Sequence, residues 1–137
     1  QVGKIFVSLK QPEDIALGRL MVIMLKRAGL AGFLKADTER FGEDIWAATI
    51  EPALRAANTV LVVWTNNTNW RAEGVEREIA LCRELGIPEA LLLASDASLP
   101  SLYEATTIEY TKFDSALPAK AFAAAADSLR RRILLAT

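Results

Sequence analysis

The segment Trp70–Gly86, W-R-A-E-G-V-E-R-E-I-A-L-C-R-E-L-G, carries the carboxylates of Glu73, Glu76 and Glu78 into one helical stretch. It follows an apolar, strand-like run, Thr59–Trp64, and a polar loop at residues 65–69. A helix that begins just past a buried strand has its first turns at the strand's C-terminal edge, where open α/β sheets bind ligands. The chain therefore offers an acid at a candidate pocket. The rest of its chemical repertoire is narrow, because there is no histidine and a single cysteine, Cys82. An ordinary zinc site and a histidine-based triad are excluded, so no metal is expected. Catalysis has to run on carboxylates, lysines, hydroxyls or backbone groups.

The chain of 137 residues is long enough to bury a core of its own as one domain. A hydrophobic content of 52% is that of a packed globular chain. A net charge of -1 makes no electrostatic case for nucleic acid or an anionic membrane as partner. No apolar run approaches the roughly 18 residues that a membrane helix needs, and residues 1–9 are strand-like and lack a signal-peptide cleavage pattern. A lone cysteine forms no internal disulfide, which fits a reducing, cytoplasmic setting. The chain starts at Gln1 and ends on an apolar, basic helix, so the expectation is a single domain, residues 1–137, cut from a longer multidomain protein.

The elements that must position the acid alternate between strand and helix. Lys4–Leu9 reads as a first buried strand, and Asp14 as the N-cap of a helix whose apolar positions recur at Ile15, Leu17, Leu20, Ile23 and Met24 until Gly29 closes it. Leu30–Leu34 is a short second strand, followed by an unusually polar loop at residues 35–42. Glu43 and Asp44 suit the start of a helix that carries Ile45, Trp46, Ile50 and Leu54 inward, with Pro52 kinking it or starting a fresh turn. Strand three (59–64), the Glu-bearing helix (73–85) and strand four (Ala90–Ala94) come next. A loop at 96–101, a weaker strand at Thr106–Tyr110 and a helix from Ala116 to Leu134 complete the chain. This order predicts an α/β fold, a flavodoxin-like three-layer sandwich around a five-stranded parallel sheet with right-handed crossovers.

Several of these segments resemble Toll/interleukin-1 receptor (TIR) domains. The opening K-I-F-V-S-L is similar to that family's first strand, an apolar run ending in serine. F-G-E-D-I-W-A-A-T-I resembles its BB loop and the helix after it, and A-L-R-A-A-N-T-V-L-V-V the approach to its third strand. Trp70 and the Glu-bearing helix resemble the segment that holds the catalytic glutamate of NAD-cleaving members. Glu78, followed by an apolar residue, a short helix, Gly86 and the fourth strand, matches that glutamate, although Trp70 stands farther before it than the family's tryptophan does. The pattern E-G-V-x-x-E is similar to prokaryotic antiphage TIR domains that accompany short Argonaute or SAVED systems.

The resemblance implies cleavage of the nicotinamide–ribose bond, with NAD+ as substrate and no retained cofactor. There is no G-x-G-x-x-G or P-loop to hold a nucleotide as a cofactor. Glu78 would stabilise positive charge developing on the ribose. Ser8, Leu9 and Lys10 at the end of the first strand would line the site, with Lys10 meeting the pyrophosphate. Phe41, Gly42 and Trp46 would border the long loop, an aromatic there stacking on a ring of the substrate, and Asp37 would orient that loop. Self-association through TIR–TIR contacts is expected, together with a regulatory sensor domain or partner protein. The competing readings are a non-enzymatic TIR scaffold, a Glu78 that sits on a solvated helix face, and a phosphoreceiver domain. The last lacks the acids it needs, since its positions hold Ser8–Leu9 and Trp64–Thr65, and only Lys112 fits. Trp46 and Trp64 are by default core aromatics, Glu73 and Glu76 first-turn residues suited to the helix dipole, and Arg130–Arg132 a solvated face.

Overall fold

The computed structural model describes residues 2–35, 45–104 and 108–136. Strands β1 (Gly3–Leu9), β2 (Leu30–Leu34), β3 (Thr59–Trp64), β4 (Glu89–Ala94) and β5 (Tyr110–Phe113) pair in parallel in the order β2-β1-β3-β4-β5. Between them run α1 (Ile15–Arg27), α2 (Glu51–Ala56), α3 (Asn66–Trp70), α4 (Glu73–Leu85) and α5 (Ser101–Glu104), and α6 (Ala119–Ala136) follows β5. Successive side chains of a strand point to opposite faces, and β1 sorts accordingly. Ile5, Val7 and Leu9 join Met21 and Leu25 of α1 and Phe122, Ala126 and Leu129 of α6 in one core layer. Phe6 joins Ile50 and Leu54 of α2 and Val75, Ile79 and Cys82 of α4 in the other. Every residue of β3 is buried, which explains its unbroken apolar sequence. The fold is the flavodoxin-like three-layer sandwich that the alternation of strands and helices predicts.

Four local expectations are corrected. Residues 65–69, read as a polar loop, enter the short helix α3 because Thr65 and Thr68 form a capping box. Asp14 occupies the N-cap position of α1, but its side chain makes no capping bond. The fifth strand is Tyr110–Phe113 and overlaps the expected Thr106–Tyr110 only at Tyr110. Residues 110–112 are exposed at the edge of the sheet, so they carry no burial alternation to read, and the register is set by pairing with β4 and by Phe113 packing on Phe122 at 5.1 Å. The last helix begins at Ala119, after a turn in which Asp114 accepts from the backbone of Ala116 and Leu117.

Pro52 neither ends nor interrupts the helical run. A wide π turn, Trp46–Ile50, passes directly into α2, with Ile50 and Glu51 in helical conformation and the Glu51 N–H bonded to the Trp46 carbonyl, so the pattern the proline disturbs is absorbed as a π turn. Gly86 ends α4 in the left-handed conformation, at φ 70°, which glycine adopts without a Cβ penalty. Ile79 fastens α4 to the sheet and is 2% exposed. Ile79→Ala should lower stability by about 2–5 kcal/mol, read from urea unfolding with an unchanged m-value.

Candidate active site

The buried positions of α4 are Val75, Glu78, Ile79 and Cys82, a stripe at the i, i+3, i+4, i+7 spacing of a core-facing helix. Glu78 thus occupies a core position, and it is 4% exposed, which excludes the competing reading of a solvated helix face. Burying a lone carboxylate among apolar side chains is costly unless a donor meets it. Ser8 supplies one. It follows Phe6 on the same face of β1 by the strand's period of two, is 0% exposed, and its Oγ donates to Glu78 Oε1 at 2.7 Å.

One donor compensates in part. Burial pushes the Glu78 carboxyl up to about 7, against smaller downward pulls from the Ser8 hydrogen bond and the Lys35 ammonium. Lys35 follows Leu34, which pairs with Val7, so the parallel register carries it to the end of β2 beside Ser8. Sequence reading passed over Lys35 as the first residue of a polar loop. The signal that would have found it is register, which exists only once β1 and β2 are paired.

Trp46 is half-buried, and the guanidinium carbon of Arg77 lies 3.9 Å from its ring centroid. That contact occupies one face of the indole and places a cation one residue before Glu78. Lys10 turns its ammonium to its own loop, donating to the Gln11 carbonyl at 3.0 Å and approaching Glu13 at 3.4 Å. Leu9 is 4% exposed and faces the α1 layer, away from Glu78. Asp37, Phe41 and Gly42 lie outside the described residues. The structure therefore brings together Ser8 and Glu78, with Lys35 close by.

Glu73 and Glu76 are exposed in the first turn of α4, where they suit the helix dipole. Trp64 is a core aromatic, edge-on to Tyr103 at 6.5 Å, and Trp70 is 86% exposed. Cys82 is no nucleophile, since burial and the neighbouring Glu89 charge push its thiol up to about 12. Elsewhere, an open cavity of about 220 Å³ between β4, β5 and α6 has Glu109 and Arg132 in its lining, both exposed, and no buried acid. Among the described residues no group of His, Cys, Asp and Glu side chains is arranged to hold a metal ion. No described helix is long and apolar enough to cross a membrane.

No family model and no curated protein matches the chain. Solved structures do. The TIR domain of a Toll-related receptor from Hydra magnipapillata is similar with a TM-score of 0.69 at 18% identity, over 94% of this chain and 96% of that one. A 2-deoxyribosyltransferase from Bacillus psychrosaccharolyticus gives 0.63 at 16% identity, over 82% and 86%. A CMP N-glycosidase from Clostridium botulinum gives 0.59 at 13% identity, over 82% and 90%. Likeness at these identities is likeness of fold, and the chain has a TIR-like α/β fold.

The raised Glu78 pKa has a consequence for stability. The folded carboxyl titrates near 7 and the ordinary one near 4.5, so between these values the folded state holds a proton that the unfolded state has lost. Stability then falls as pH rises through this window and stays lower above it. Glu78→Gln keeps the shape and removes the titration. The variant should gain on the wild type between pH 5 and pH 8 by up to about 3 kcal/mol, measured by chemical denaturation at both pH values.

Proposed function

We propose that the chain is a TIR-type NAD+ glycohydrolase that cleaves the nicotinamide–ribose bond when the domain self-assembles. Its setting would be prokaryotic immune defence in the cytoplasm, under the control of a sensor domain or partner protein. The observation that carries this reading is Glu78. A carboxyl at a core position of an amphipathic helix, next to the C-terminal ends of β1 and β2, is a local rule broken where a site belongs. The fold supports it as well. Two similar structures are named for acting at ribosyl or N-glycosidic bonds and a third is a TIR domain.

The chemistry suits the residues present. Nicotinamide leaves NAD+ as a neutral molecule from a cationic state, so no general acid has to protonate it. The demand falls on the ribose, where positive charge develops as the C–N bond breaks, and an ionised Glu78 stabilises it from a site of low dielectric. The ribose hydroxyls would donate to the same carboxylate. Ser8 holds one carboxylate oxygen in place, leaving the other for the substrate. Lys35 and the Arg77 guanidinium supply positive charge for the pyrophosphate, beside the Lys10 loop. Water attack yields ADP-ribose, and attack by an atom of the adenine yields a cyclic form.

The test is nicotinamide release at high protein concentration on a crowding surface, with NAD+, CMP and a 2′-deoxynucleoside offered side by side. Wild type should consume NAD+, and Glu78→Ala and Glu78→Gln should each lose about 10²-fold or more in kcat. Since the ionised form acts, kcat/KM should fall as pH drops through about 7, the value to which burial raises this carboxyl. Full turnover by Glu78→Gln would sink the reading. Cleavage of CMP or the deoxynucleoside alone would move the substrate to a nucleoside and keep Glu78 in its role.

A further inference from the structure

With the strand order β2-β1-β3-β4-β5, the connections after β1 and β3 leave for opposite faces of the sheet, and folds of this order open a crevice there. In this chain a hydrogen-bonded bridge spans it. The Asp14 carboxylate, 5% exposed, accepts from Thr65 Oγ1 through Oδ2 and from Asn67 Nδ2 at 2.9 Å through Oδ1. Thr65 Oγ1 in turn accepts from the Asn67 backbone N–H at 3.1 Å, and the Thr65 N–H donates to Thr68 Oγ1 at 3.1 Å. Asp14, Thr65 and Thr68 are all buried, so the Thr65–Asp14 and Thr65–Thr68 bonds are shielded from water, while Asn67 is exposed and closes the bridge from the solvent side. Asp14 leaves its own helix uncapped to make a contact 51 residues away. It is a tertiary anchor.

What the bridge holds is the approach to α4. The N-cap of α4 is Ala72, which makes no side-chain capping bond, so no cap fixes where this helix starts, and the Arg71–Glu73 ion pair across it is exposed. Its start is set by α3, one short turn upstream, which is tied down by Thr65 on the β1 side and by Asn69 on the other. Asn69 donates to the Ser98 carbonyl at 2.9 Å and accepts from the Ser98 N–H at 2.8 Å. Glu78 lies only in the second turn of α4, close to the end that these anchors control.

We propose that Asp14 and Thr65 are positioning residues for Glu78: their bridge fixes the start of α4 against the end of β1 and so holds the Glu78 carboxyl on Ser8 Oγ. This inference rests on the reading of Glu78 as the acting carboxylate, and its test separates the two. The variants are Thr65→Val, which keeps the shape and removes the hydroxyl, Asp14→Asn, and Thr65→Ser, which restores the hydroxyl. Each is first shown to melt cooperatively. Two readouts follow, the titration of the Glu78 carboxyl by carbon NMR and the NAD+ turnover of the assembled protein.

Thr65→Val and Asp14→Asn should lower the Glu78 midpoint from about 7 towards the ordinary carboxylate range as water reaches the loosened site. Their kcat should fall about tenfold or more with KM within about twofold, because the carboxyl is displaced while the binding surface remains. Thr65→Ser should match the wild type in both. A folded Thr65→Val that keeps the wild-type midpoint overturns the proposal, whatever its turnover. A shifted midpoint in a protein that never consumes NAD+ upholds the positioning role and refutes the NAD+ reading. If Thr65→Val does not fold, Asn67→Ala removes the exposed arm of the bridge and takes its place with the same criteria.

Discussion

The structure turns on one desolvated carboxyl. Glu78 stands in line with Val75, Ile79 and Cys82, where an apolar side chain would pack better, and its compensation is the hydroxyl of Ser8 at 2.7 Å. Neither residue can move alone. A carboxyl turned outward would leave the Ser8 hydroxyl buried without its acceptor, and a loss of Ser8 would leave the acid with its desolvation cost unrelieved. The pairing needs β1 and α4 in one relative position, and that position is a property of the whole sandwich. Phe6 packs below Ser8 in the same core layer as Ile79 and Leu54, so the apolar contacts that hold the sheet to its helices also aim the acid.

Parallel topology explains why the acid and its neighbours meet where they do. All strands point the same way, so Ser8, Leu34–Lys35 and Trp64–Thr65 gather at one edge although they come from distant parts of the chain. The helices then divide between the two faces, α1 and α6 on one and α2 and α4 on the other. A fold of this kind offers an edge to any chemistry, and the similar structures, a TIR domain, a deoxyribosyltransferase and an N-glycosidase, carry different names on it. What distinguishes one chain from another is which side chains the edge receives.

Much of this was legible in the sequence, and the failures share a cause. Strands β1 and β3 and helix α4 were readable because burial on both faces leaves an unbroken apolar run and burial of one stripe leaves a helical period. The spacing of Val75, Glu78, Ile79 and Cys82 also marks Glu78 as inward-facing, a signal present in the chain that supports from periodicity what the resemblance alone implied. What escaped depends on partners remote in sequence. Lys35 reaches the site through strand register, Asp14 leaves its cap for Thr65, residues 65–69 fold into a helix through a capping box, and β5 takes its register from β4. Asp37, Phe41 and Gly42, which were assigned to the site by resemblance, fall outside the described residues.

A carboxyl that titrates near neutrality is an unusual choice for stabilising a cation, since an acid with an ordinary pKa would be fully ionised at every physiological pH. The substrate resolves the difficulty under the NAD+ reading. The nicotinamide ring of NAD+ brings its own positive charge, and a cation placed beside a buried carboxyl in a low dielectric favours the ionised form strongly. Binding and ionisation then reinforce each other under that reading: near neutral pH the empty site divides between the acid and the carboxylate, and a bound cation shifts it to the charged form. By linkage the same coupling discriminates against an uncharged N-riboside of similar shape, which brings no cation to ionise the acid. If the chain cleaves NAD+ as proposed, burial of Glu78, a cost to the fold, becomes a source of selectivity for a cationic leaving group.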